Sequence, residues 1–325
     1  MEQKIVSVFM FSEPHEQELL WLKFNVENAY VTEWVITESC YTFQGRVKPM
    51  YLHEIFAQNR FAKFRNKVHI IQLNHNYNFE YEIGYFPLLK RKIKRWLNAN
   101  YNGTYVLAPY AELASFHAEI IQRQACVSYL REHYAQDDIV LVCDVDEIFD
   151  FNDGKMQHLQ SILQTNKTPF YIPRLVFCYD YDNLTRRTRY VPIIHLKDLQ
   201  HSTVQQIKHP SWQHRQIVDC ESILVYEYTF CFSKEAIVSK LATFAHVSEL
   251  NRHAIEFCLA NNIAFINPTH ITTRYLQDQE SFYERITINE KTAPRFLRDH
   301  IEDFLTRIVR TDYREQRKLN GIEQQ

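Results

Sequence analysis

Five carboxylates fall within residues 138–151, "DIVLVCDVDEIFDF": Asp138, Asp144, Asp146, Glu147 and Asp150. Asp144, Asp146 and Glu147 crowd together, and like charges so placed repel one another unless positive charge lies among them. A D-x-D-E pattern of hard oxygen ligands suits a divalent cation such as Mg²⁺ or Mn²⁺, which is usually held by one or two carboxylates together with substrate phosphates. A metal at Asp146 and Asp144 would act as a Lewis acid on a departing nucleoside diphosphate. The plainer alternative has Asp144 capping a turn while Asp146 and Glu147 face solvent.

The element that carries the acids bears on this choice. Ile139-Val140-Leu141-Val142-Cys143 is a short apolar run rich in β-branched residues, the pattern of a strand buried on both faces. The acids follow where that strand should end, and in open α/β sheets the ligand crevice lies beyond the carboxyl ends of the strands. Further strands are expected at "KIVSVFMF", "EWVITES", "KVHIIQL", "PFYIPRLVFCYDYD" and "RYVPIIHL". Between them, "HEQELLWLKFNVENA" reads as an amphipathic helix offering Leu19, Leu20, Leu22 and Phe24 to the core. A second helix lies within residues 105–134, and a third, "SKEAIVSKLATFAH", has Ser233 as its N-cap. This alternation predicts an α/β fold with a mostly parallel sheet flanked by helices. No repeat, low-complexity tract or linker marks a boundary. One main domain is expected over residues 1–250, with a helical extension over 251–325 packed on the core.

Composition narrows the function. A formal net charge of -2 argues against a general nucleic-acid binder. Tyr 20 and Phe 22 far outnumber Gly 5, which fits either stacking surfaces for sugars or a tyrosine-rich core. The seven cysteines are scattered and form no C-x-x-C pair, as expected of reduced thiols in a cytoplasmic protein. No run reaches the roughly 20 apolar residues a membrane span needs. The basic run "LLKRKIKRW", residues 88–96, could meet an anionic membrane or a lipid-linked acceptor peripherally, or form a solvated helix face.

Four ordered blocks carry a resemblance. "VITESCYTFQGRVKPMYLHE" resembles the E-S-x-x-T-x-x-G-x-x-K/R-P-L segment of glycosyltransferase family 17 through Glu38, Ser39, Thr42, Gly45, Lys48 and Pro49. The preceding helix is similar to that family's E-L-x-L-L-x-I-K/R-L-N-E through Glu16, Leu20, Lys23 and Asn25. "DDIVLVCDVDEI" resembles its strand and acidic motif. "FCFSKEAIVSKLATFAH" resembles its later helix through Phe232, Glu235, Ile237, Lys240, Leu241, Phe244 and His246. The blocks keep the family's order and span most of residues 9–250.

The resemblance implies a GT-A-like (Rossmann-like) fold and a metal-dependent inverting transfer. A sugar, N-acetylglucosamine by family analogy, would move from a UDP-sugar to a hydroxyl of a glycan or lipid-linked glycan. Asp144 and Asp146 would be the D-x-D acids: Asp146 on Mn²⁺ or Mg²⁺, Asp144 near the donor ribose or metal-bound water, and Glu147 completing or orienting the shell. Glu38 and Thr42, after the second strand, would receive base or ribose, unless Thr42 only bonds backbone in a turn. Arg123, beside Gln122, either holds donor, orders the acidic loop, or pairs with Glu119 on a helix surface. His246, and more weakly His270, either contacts phosphate or metal or plays a structural part. The chain departs from the family at Phe149, where relatives carry Pro, and at "VYEYTFCF", where they tend to carry W-H-x-S. Glu227 there could be a ligand, the catalytic base, or a surface residue on a strand edge. A sugar-nucleotide hydrolase, a protein-modifying transferase and a non-enzymatic glycan- or partner-binding protein are the alternatives.

Overall fold

The computed structural model describes residues 3–77, 110–178, 180–185, 189–208, 216–218, 224–243 and 283–307. The strands are β1 (Ile5–Phe11), β2 (Glu33–Ser39), β3 (Val68–Leu73), β4 (Ile139–Val142), β5 (Glu147–Phe149), β6 (Phe170–Cys178), β7 (Asn183–Thr185), β8 (Arg189–His195), β9 (Val225–Thr229) and β10 (Tyr283–Arg285). The helices are α1 (Gln17–Glu27), α2 (Leu52–Ala57), α3 (Tyr110–Gln124), α4 (Cys126–His133), α5 (Lys155–Thr165), α6 (Val204–Lys208), α7 (Lys234–Thr243), α8 (Arg295–Asp299) and α9 (Ile301–Arg307). The strand order is β10-β7-β6-β8-β4-β1-β2-β3, with β9 beside β6 and β5 beside β9.

The α/β class is as expected, but the sheet is mixed and not mostly parallel. Strands β3, β2, β1 and β4 are mutually parallel. Beyond β4 the pairing turns antiparallel through β8 and β6, and of the later pairs only β6 with β9 is parallel. The physical reason is connection length: parallel neighbours need a long crossover, whereas β6, β7 and β8 follow one another over short links that reverse direction.

Alternation along the parallel strands sends side chains to two cores. Ile5, Phe9 and Phe11 of β1, Trp34 and Ile36 of β2, and Ile139 and Leu141 of β4 face one side, where they meet Leu20, Phe24, Phe61, Phe64 and Leu159. Val6, Val8, Val35, Val140 and Val142 face the other side, against Val127 and Leu130 of α4 and Val204 and Ile207 of α6. Burial on both faces is why β4 reads as an unbroken apolar run.

A third core forms where the sheet turns. Val176 and Phe177 of β6, Tyr226 and Tyr228 of β9, and Leu297 and Phe304 of the C-terminal helices pack against Leu19, Leu22 and Val26 of α1. Helix α1 buries the expected Leu19, Leu20, Leu22 and Phe24, but divides them between two cores where one was expected. The C-terminal segment is likewise not helical throughout, since β10 adds an antiparallel edge to β7. The buried Tyr181, Tyr226 and Tyr228 favour the tyrosine-rich-core reading of the composition. Cys40, Cys126, Cys143, Cys178 and Cys231 carry thiols and form no disulfides. Among the described residues, no helix is long and apolar enough to cross a membrane.

Candidate functional site

The chain leaves β1 through α1 to β2 on one flank, and returns from β3 through α3 and α4 to β4 on the opposite flank of β1. The β1/β4 boundary is thus the point where strand order reverses, and the crevice beyond such a point is where α/β sheets bind ligands. Asp144 stands immediately past the end of β4 at this boundary. A small crevice lined by Val8, Met10, Thr37, Arg123, Cys143 and Val204 opens beside it.

The acidic segment is a closed turn. Glu147 donates its N–H to the Asp144 carbonyl (3.1 Å), and Asp144 donates its own N–H to Glu147 Oε2 (2.9 Å). Val145 is buried in the main core, which leaves its neighbours Asp144 and Asp146 on the partly open side. Tyr228 donates its N–H to the Asp146 carbonyl (3.0 Å), tying the turn to β9. In the register of β5 with β9, Glu147 lies opposite Glu227. Two acids facing each other across a ladder are destabilising unless a cation joins them.

The positive charge that the sequence demanded comes from four side chains. Arg123 Nη1 lies 3.0 Å from Asp144 Oδ1, while Arg123 also holds Glu119 at 2.6 Å. Lys208 Nζ bridges Asp144 Oδ2 (2.5 Å) and Glu147 Oε2 (2.9 Å). Arg174, at the middle of β6, pairs through Nη1 with Glu147 and through Nε with Glu227 Oε2 (2.7 Å). Lys240 of α7 pairs with Glu16 (3.1 Å) and stands 3.9 Å from Asp146. Thr229 completes Glu227 with an O–H bond of 2.6 Å. Lys208 is 5% exposed at its side chain and Glu147 2%, whereas Asp144 is 34% exposed. The network opens to solvent at Asp144.

Electrostatics follow the geometry. Burial, opposed by Lys240 and reinforced by Glu227, Asp144 and Glu147, pushes Asp146 from its ordinary 3.8 up to about 7. For Arg174, burial works against the charge, yet Glu147 and Glu227 outweigh it and hold the guanidinium more firmly charged than usual. Lys240 behaves alike, with Glu16 and Asp146 overcoming desolvation.

A second network lies directly beneath. The Lys23 ammonium has three donors and uses them on Glu27 Oε1 (2.7 Å), the Glu147 carbonyl (2.6 Å) and Cys143 Sγ (3.3 Å). Glu27 accepts further bonds from Trp34 Nε1 (2.9 Å) and from the N–H of Phe149 (3.2 Å). That last bond uses the N–H of Phe149, which a proline at this position would not have to donate.

The remaining expected residues divide. Glu227 is buried between β5 and β6 and is no surface residue. Arg123 both pairs with Glu119 and orders the acidic turn, and Gln122 donates to the Thr37 carbonyl (3.0 Å) at the end of β2. Glu38 accepts the N–H groups of Tyr51 (2.6 Å) and Leu52 (3.3 Å), so its carboxylate caps the start of α2. Thr42 accepts the Arg46 N–H (3.1 Å) within a turn whose Gly45 has φ 80°, the backbone-bonding role. Asp138 caps the opposite end of β4 by accepting from Lys4 and Ala135. His246, His270 and the basic run 88–96 lie outside the described residues.

Arg174 and Lys208 had not been anticipated as site residues, and Lys240 only as a motif match. Arg174 did leave a signal, a lone charge inside the apolar strand "YIPRLVF", since a buried charge requires a partner. Lys208 left none.

The donor set also bears on the expected Mn²⁺ or Mg²⁺. Both oxygens of Asp144 and both of Glu147 already face a protein cation within hydrogen-bond range. Among the described residues, no group of three His, Cys, Asp or Glu is arranged to hold a metal ion. The oxygens of Asp144 and Glu147 are thus taken by protein cations, which of these three acids leaves a divalent cation only Asp146, 3.9 Å from Lys240, and a lone carboxylate does not make up the expected site. Neither a protein-family model nor a curated protein sequence matches the chain.

Proposed function

We propose that the chain is a glycosyltransferase that moves a sugar, N-acetylglucosamine by the resemblance to family 17, from a UDP-sugar to a hydroxyl of a glycan or lipid-linked glycan. The observation that carries this reading is the position of Asp144 and Asp146 past the end of β4 at the β1/β4 reversal, the crevice where α/β sheets take nucleotides. In that reaction the acceptor oxygen bonds to the anomeric carbon as the sugar–phosphate bond breaks. The bonding pair leaves on the diphosphate, and the acceptor proton passes to a carboxylate at the same edge. Cations fixed beside the departing oxygen stabilise the charge that develops there.

The test is release of free nucleoside diphosphate from a panel of UDP- and GDP-sugars, measured with and without candidate glycan acceptors. One donor should give release that Asp146→Ala abolishes. Release that ignores acceptor would point to a sugar-nucleotide hydrolase. Absence of both release and donor-induced thermal stabilisation would end the transferase reading.

A further inference from the structure

Resting on that reading, we infer that the site binds its nucleoside diphosphate through resident cations, Lys208 and Arg123 first and Lys240 beside them, with no divalent ion between protein and phosphate. A bridging metal would need the oxygens of neighbouring carboxylates turned toward a common point at about 2.0–2.6 Å. That point between Asp144 and Glu147 is held by the Lys208 ammonium, at 2.5 and 2.9 Å. The far oxygen of Asp144 is held by Arg123 and that of Glu147 by Arg174. Seating a metal would expel a buried ammonium and leave it unpaired, a costly exchange.

The same geometry favours exchange toward an anion. Asp144 is the member open to solvent and, among the described residues, the acid shared by Lys208 and Arg123. An incoming diphosphate can therefore take over bonds from both cations while Glu147 stays fixed by Arg174. Guanidinium forks suit phosphate oxygens, and a lysine supplies a point charge beside them. Gln205 adds an independent sign of a ligand on this helix face. It lies three residues before Lys208, so the two share a side of α6. It is 1% exposed, and neither of its amide atoms has a hydrogen-bond partner among the described residues.

Calorimetric titration of UDP and, in parallel, GDP into the whole chain, once in EDTA and once in Mn²⁺, tests the inference without any variant. Binding in EDTA within about threefold of that in Mn²⁺ is expected. Binding only in Mn²⁺ overturns the inference and leaves the transferase reading standing. Absence of binding by UDP and GDP in both buffers overturns the two together. Lys208→Met gives a reading of opposite sign that mere misfolding would not. UDP affinity in EDTA should fall at least tenfold, while Mn²⁺ titrated alone should bind at least tenfold more tightly than to wild type. Lys208→Arg should keep most of the UDP affinity. Loss of UDP binding with no gain for Mn²⁺ in the folded Met variant would refute the placement of the ammonium as the metal's substitute.

Discussion

Two ionic networks share Glu147 and differ in what surrounds them. In the lower one, Lys23 and Glu27 are both wholly buried, and every donor of the ammonium has an acceptor. In the upper one, Lys208 and Glu147 are buried but Asp144 reaches solvent, and Lys240 stands 3.9 Å from Asp146, beyond hydrogen-bond range. A sealed and saturated pair has nothing to exchange, and its effect is to fix α1 against the acidic turn. A pair with one open member can trade partners with a ligand. The saturated pair is thus a fixture of the fold, and the pair with a single opening is the one we propose as a site.

The largest effect should come from breaking the sealed pair. Lys23→Met leaves Glu27 charged and unpaired, and urea denaturation should show a loss of about 3–5 kcal/mol. A loss below about 1 kcal/mol would erase the contrast between the networks. Next comes Asp146→Asn. Between 3.8 and about 7 the folded chain retains a proton that the unfolded chain has released, so wild-type stability from this group falls as pH rises through that window. Asparagine carries no such penalty. The variant should equal wild type near pH 4 and exceed it by about 4 kcal/mol at pH 8, an order-of-magnitude figure from the size of the shift. Thermal melts across that range check the sign, and a variant that gains stability only at low pH would contradict the burial of Asp146.

Smaller effects sharpen the comparison. Lys208→Met should cost about 1–2 kcal/mol in the same urea assay, because Arg174 still holds Glu147 and Asp144 can turn to water. A cost equal to that of Lys23→Met would mean that the upper network is as closed as the lower. Thr229→Val removes one hydrogen bond from a Glu227 that keeps Arg174, and about 1 kcal/mol is expected.

The sequence announced the local pieces well. β2 falls on "EWVITES" residue for residue, β4 within its apolar run, and Ser233 accepts the Ala236 N–H as the N-cap of α7. These features depend on neighbours in the chain, and so periodicity and capping chemistry reveal them. What stayed hidden depends on distant segments. The apolar residues of helix α1 were visible, but that they serve two cores was not, because the second is built by β6, β9 and the C-terminal helices. The antiparallel half escaped because the direction of a strand leaves no mark in its own residues. The site divides the same way: its acids were visible as a cluster, whereas Arg174, Lys208 and Lys240 reach it from three separate elements.

Strand β6 changes partners along its length, pairing with β8 over Phe170–Arg174 and with β9 over Leu175–Cys178. Arg174 sits at the change, so neither half of the molecule can assemble the acidic edge alone. During folding the edge should appear only once both ladders have zipped onto the same strand, a long-range closure and therefore a late one. Hydrogen exchange would record it as amides on the two halves of β6 opening with one common free energy, while separate values would reveal two independently melting sheets. The chain would then leave its acidic edge unassembled until its topology is complete.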